Sequence, residues 1–175
     1  MKTRFFIFTT LCLAVLCLGN AGIAMAQSVT GGGVVQFDSD RPPVNIAVLA
    51  RTGPAGIVHI SQGQAQVLGN VVDLCVVDNA AIVVTQVTQT TIPDEFPEGV
   101  FVYFAFQDNG QTGDKGFIFA VDDDLIPCEE IVPSLPDILD FLPTITHGNI
   151  NITPWLAPPF IAHLDSLYGR LHARR

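Results

Sequence analysis

Val100-Phe101-Val102-Tyr103-Phe104-Ala105-Phe106-Gln107-Asp108-Asn109-Gly110-Gln111-Thr112-Gly113-Asp114-Lys115-Gly116-Phe117-Ile118-Phe119-Ala120-Val121 is the stretch that decides the fold. Two apolar arms flank a polar, glycine-rich centre. Side chains alternate across a strand, so Val102, Phe104 and Phe106 share one face and Phe101, Tyr103 and Ala105 the other. Both faces are apolar, which predicts a strand that is central or covered on both sides. The returning arm is read with Phe117, Phe119 and Val121 on one face and Ile118 and Ala120 on the other. Asn109-Gly110 marks the turn, because both residues tolerate positive φ.

Working outward, the same chemistry repeats. Val34–Phe37 follows three glycines, Val44–Ala50 follows Pro42-Pro43, and Ile57–Ser61 follows a Gly/Pro turn. Gln64–Val77, with a bend expected at Gly69-Asn70, leads through the turn Asp78-Asn79 into Ala81–Thr90. Ile150–Thr153 reads as the last strand. Turn residues recur at intervals of about ten, the spacing of an antiparallel sandwich or barrel. The expectation is an all-β domain, a sandwich or partly open barrel of about eight strands. Asp122–Leu142 carries Pro127, Pro133 and Pro136 and reads as a long loop, with one short helical turn near Leu135–Phe141.

The two ends differ from this body. Lys2 and Arg4 precede the apolar run Phe5–Leu18, and Ala24-Met25-Ala26 supplies small residues before Gln27. This is the pattern of a cleaved export signal. The run is short for a membrane span of about 20 residues, and no span is expected after its removal. At the other end Phe160, Ile161, Leu164, Leu167, Tyr168 and Leu171 fall on one helical face, which predicts a short amphipathic helix in 155–175. The expected division is therefore a signal peptide (1–26), a β-domain (27–154) and a C-terminal tail (155–175).

Charge sharpens this division. The whole chain of 175 residues has net charge −9. Without Lys2 and Arg4, six basic residues face 17 acidic ones, a net of −11. The body 27–154 has 16 acidic and 3 basic residues, a net of −13, while the tail has three Arg against Asp165, a net of +2. An acidic body argues against nucleic acid, whose phosphates require a basic face. The body keeps two cysteines, Cys75 and Cys128. In an exported chain an even pair is most simply a disulfide, with two buried free thiols as the other reading.

Several residue groups invite a functional reading. Asp122-Asp123-Asp124 with Glu129-Glu130 is the densest carboxylate cluster, and hard cations such as Ca²⁺ take oxygen ligands. A solvated acidic loop is the simpler account, since charge runs are commonly that. Asp108–Asp114 resembles a calcium loop, but it lacks the EF-hand spacing and reads as a hairpin turn. Asp108 and Asn109 are nonetheless kept as candidate ligand contacts, together with Trp155, which stands just after the last strand and suits a glycan platform. His59, His147, His163 and His172 lack the spacing of a metal site, and no G-x-S-x-G is present.

The motif order resembles a family of secreted bacterial β-domains of unknown function, found behind choice-of-anchor-type modules or alone after a signal peptide. The resemblance is carried by Val29-Thr30-Gly31-Gly32-Gly33, by Val71–Ala81 around Cys75, by Val102–Asp114, and by His147-Gly148-Asn149-Ile150-Asn151-Ile152. It spans about 29–153; the stretch 41–66 fits it poorly, and the tail lies outside it. The family pattern implies that Cys75 pairs with Cys128. It supplies no catalytic residues.

These readings predict an exported, monomeric, non-catalytic structural or interaction module of the extracellular space or envelope, with a protein or glycan partner. The alternative is a glycan- or Ca²⁺-binding module using the 122–130 loop. A hydrolase comes third. No cofactor other than Ca²⁺ enters these readings.

Overall fold

The computed structural model describes residues 27–37, 42–110 and 113–154. The expected signal peptide and the expected C-terminal helix lie outside the described residues, as does Trp155.

Eight strands form one antiparallel sheet: β1 (Ser28–Val35), β2 (Val44–Arg51), β3 (Ala55–Gln62), β4 (Ala65–Val77), β5 (Ala80–Thr90), β6 (Phe101–Gln107), β7 (Lys115–Asp122) and β8 (Ile145–Thr153). The first seven follow one another as a meander, and β8 returns to pair with β1. The order β7-β6-β5-β4-β3-β2-β1-β8 leaves β7 and β8 as the two edges. These edges meet at the Lys115–Thr144 bridge. The sheet is thus a curled half-barrel, and of the two expected architectures it is the partly open barrel.

The concave side holds the larger core. Val29, Ile46, Val58, Val83, Val102, Phe104, Phe106 and Ile150 meet there. The rings of Phe104 and Phe106 stack at 6.0 Å. Each fully buried side chain of this size stabilises by roughly 1.5–3 kcal/mol. β2 shows the two-residue period plainly, alternating buried and exposed residues along its length.

The convex side of β5 and β6 is also covered. A helical segment consists of α1 (Cys128–Ile131), a 3₁₀ turn (Val132–Ser134) and α2 (Leu135–Phe141). Cys128, Leu135 and Leu142 pack onto Ile82, Val84, Tyr103 and Ala105. The central arm of the deciding hairpin is therefore buried on both faces, with the face assignments the alternation predicts.

Five expectations need correction. The first strand does not wait for Val34: β1 includes Gly31, Gly32 and Gly33, because β2 and β8 approach so closely that a Cβ at any of them would overlap backbone or Ile145. Gly69-Asn70 does not reverse the chain: β4 runs straight through, and two register irregularities between Leu68 and Asp73 absorb the bend. In β7 a bulge falls at Phe119, so Ile118 pairs with Phe104 but Ala120 with Tyr103. That puts Phe119 and Ala120 on the same convex cluster and separates Val121 from Phe117. The last strand starts at Ile145, five residues early, and the helical segment runs from Cys128 to Phe141 where only a single turn was expected. Its prolines do not break it, because Pro133 and Pro136 occupy first-turn positions where no N–H is required.

Candidate functional site

Three features concentrate polar or exposed apolar chemistry: the turn 108–114, the acidic loop 122–130, and a groove between β7 and α2.

The turn 108–114 lies where the barrel closes. Asp114 is buried, at 4% exposure. One carboxylate oxygen accepts the Asn109 N–H at 2.9 Å and the other the Ile150 N–H at 2.6 Å. Asp108 accepts the Gly110 N–H at 2.9 Å and the Ile152 N–H at 3.2 Å. The Ile145 N–H donates to the Asp114 carbonyl at 2.7 Å. Ile150 and Ile152 are two apart in β8, so their N–H groups point the same way, off the edge of the sheet. Two carboxylates thus do for β8 what a ninth strand would do. Asn109 contributes its amide, which donates to the Gly113 carbonyl at 3.1 Å and to Gln107 at 3.4 Å. Lys115 Nζ donates to the Leu139 carbonyl at 3.0 Å and ties the same corner to α2.

The loop 122–130 is organised the other way. Its carboxylates Asp122, Asp123, Asp124, Glu129 and Glu130 are all exposed. Its backbone is what the protein holds. The Tyr103 hydroxyl accepts the Ile126 N–H at 2.7 Å and donates to the Asp124 carbonyl at 3.1 Å. Asp73 accepts the Cys128 N–H at 2.8 Å, and Cys75 and Cys128 sit at disulfide-bonding distance with Cα atoms 5.8 Å apart. Asp122 accepts the Asp124 N–H at 3.1 Å, a local turn bond. Among the described residues, the group of three potential ligand atoms within 4.8 Å of one another is Cys75, Cys128 and Glu129, two of which are the sulfur pair. Of the five candidate carboxylates, Asp122, Asp123, Asp124 and Glu130 are in no such group among the described residues.

The groove lies beside the edge strand. Phe37, Phe117, Phe119, Ile138, Phe141 and Leu142 line about 390 Å³ of open space. Phe37 and Phe117 meet edge to face at 4.4 Å. Phe37 is 51% exposed and Phe141 is 89% exposed. Asp137 and Asp140 stand exposed on the helix that carries Ile138 and Phe141. Sequence reading missed this feature. Phe141 ends the helical turn expected near Leu135–Phe141, but Phe37 and Phe117 are far from it in sequence, so no local pattern brings the three together.

Elsewhere the barrel mouth encloses about 90 Å³ lined by Val44, Ile60, Val67, Phe96 and Ile118. That is well below the 300–1,000 Å³ or so of a small-molecule site. His59 opens instead onto a surface depression with Gln66, Gln89 and Thr90. Every buried side-chain nitrogen and oxygen among the described residues has a hydrogen-bond partner.

Comparison of the chain with protein-family models, with curated proteins and with solved structures finds no match.

Proposed function

We propose that this chain is an exported, non-catalytic β-domain that works as an interaction module, and that its contact surface is the β7–α2 groove. The observation that carries this reading is Phe141, a large aromatic left 89% exposed at a groove that Phe37 and Phe117 already shape. Aromatic anchors beside a preformed concavity are the features that dominate binding energy at interfaces. Asp137 and Asp140 adjoin it, and Asp122 to Asp124 continue the strand that carries Phe117 and Phe119. The partner chemistry that fits is an apolar side-chain row flanked by basic groups. The sulfur pair at Cys75 and Cys128 supports export, because oxidising compartments preserve such bonds.

The test uses an 18-residue synthetic peptide with Leu on one helical face and Lys on the other. Titrated into the chain Gln27–Arg175, it should perturb the NMR signals of Phe117, Phe119 and Ile138. Phe141→Asp should weaken it by about tenfold, the scale of an interface anchor. No perturbation at these residues, or equal binding by Phe141→Asp, overturns the reading.

A further inference from the structure

We infer that Asn109-Gly110 is a site of spontaneous covalent modification, the loss of ammonia from the Asn109 side chain. The closed seam of the barrel slows this reaction, and the product releases the seam.

The first argument is chemical. The reaction joins the backbone nitrogen of the following residue to the asparagine Cγ. In the body, Asn45, Asn70, Asn149 and Asn151 each precede Ile or Val, and Asn79 precedes Ala80. A β-branched side chain crowds the attacking nitrogen, whereas Gly110 leaves it open. In the first step the Gly110 nitrogen gives up its proton and bonds to Cγ. The Cγ–Nδ2 bond breaks, and ammonia leaves with the proton. Water then opens the five-membered imide at either carbonyl and leaves aspartate or isoaspartate at position 109. Water is the co-reactant, and Gly110 is exposed to it.

The second argument is geometric. Every group the reaction uses is engaged in the closed turn. The Gly110 N–H donates to Asp108 at 2.9 Å, and an amide anion formed beside that carboxylate is disfavoured by like charge. The leaving Nδ2 donates to the Gly113 carbonyl at 3.1 Å and to Gln107 Oε1 at 3.4 Å. The Asn109 N–H donates to Asp114 at 2.9 Å. These same aspartates hold Ile150 and Ile152 of β8. The turn must loosen before the Gly110 nitrogen meets Cγ, so the reaction is gated by the seam.

The third argument concerns the product. The new carboxylate has no N–H for the Gly113 carbonyl or for Gln107 Oε1. It also adds a negative charge between Asp108 and Asp114, whose own carboxylates hold the edge of β8. Both effects favour the open turn. A molecule that has reacted once therefore keeps a weakened seam, and the change is one-way because the ammonia is gone.

The experiment ages the chain Gln27–Arg175 in mildly alkaline buffer and follows conversion of Asn109 by peptide mass mapping. Three samples are compared: the native chain, the same chain unfolded in urea, and native Asp108→Ala, with amide exchange at Val83 reporting an intact barrel. Conversion in urea should outpace the native chain by about tenfold or more, the scale set by breaking one hydrogen bond to a charged group. Asp108→Ala should also convert faster than the native chain. Equal rates in the native and urea samples overturn the gating, and this comparison does not depend on any variant folding. An intact Asp108→Ala that converts no faster than the native chain overturns the part given to Asp108. Converted molecules carry an added negative charge and separate by anion exchange. Relative to Val83, their Ile150 amide should exchange about tenfold faster than in unconverted molecules. Identical exchange in the two fractions overturns the release of the seam.

Discussion

The turn 108–114 and the loop 122–130 are both rich in carboxylates, and the protein treats them in opposite ways. In the first, Asp108 and Asp114 turn inward and hold backbone N–H groups of β8, at the seam of the barrel. In the second, the carboxylates face solvent, while a tyrosine hydroxyl and an aspartate from outside the loop hold its backbone and Cys75 meets the Cys128 sulfur. Local charge density therefore does not mark the structurally important acids. What decides is whether a nearby strand edge needs acceptors. β8 does, since among the described residues its outer edge has only the short bridge at Thr144 to β7. An edge N–H buried without an acceptor costs about 1–3 kcal/mol.

The comparison can be broken in four places. The largest effect is expected at the sulfur pair. Opening the 53-residue span between Cys75 and Cys128 with Cys75→Ser/Cys128→Ser should lower unfolding free energy by about 4 kcal/mol on the chain-entropy model, read by urea melts. Next, Asp114→Ala removes the acceptor of two N–H groups in a buried position and should cost about 3 kcal/mol. Tyr103→Phe removes both hydroxyl bonds to the acidic loop but keeps the ring in its core site. It should cost about 1 kcal/mol and raise exchange at Ile126 selectively. Smallest is Asp122→Asn/Asp123→Asn, which should shift stability by less than about 0.5 kcal/mol, because both side chains are exposed. The pair Asp114→Ala and Asp122→Asn/Asp123→Asn is the sharpest contrast. Equal effects would dissolve the distinction between the two acidic stretches.

Much of the barrel was legible because its signals are local. The alternation in 101–106 assigned both faces of β6, and Asp78-Asn79 gave the β4–β5 turn, where Asp78 takes positive φ. The departures have non-local causes. The three glycines read as a lead-in, yet they lie within β1 because two neighbouring strands press on it. The Phe119 bulge inverts part of β7, and one added residue leaves no mark in composition. Pro133 and Pro136 looked like breakers but stand at helix starts. At the level of sites, Asp108 and Asn109 were singled out as ligand contacts, and the structure gives them partners within the fold. Asp114, the buried acceptor, was noticed only as the end of a turn. Its partner Ile150 lies 36 residues away, and the Asp108 partner Ile152 lies 44 away, so no short window holds the pair. Sandwich or barrel could not be decided in the sequence for the same reason. The closure depends on these distant contacts.

The central claim is that carboxylates, rather than a strand, satisfy the outer edge of β8. Amide exchange of Ile150 and Ile152 tests it most directly, in the wild-type chain and in Asp114→Ala, each normalised to Val83 in the same protein. The account predicts slow exchange at both amides in the wild type, and in the variant a rise at Ile150 of about tenfold or more beyond any change at Val83, the equivalent of roughly 1.4 kcal/mol of lost local protection. An Ile150 amide that exchanges no faster than Val83 after the substitution would contradict it.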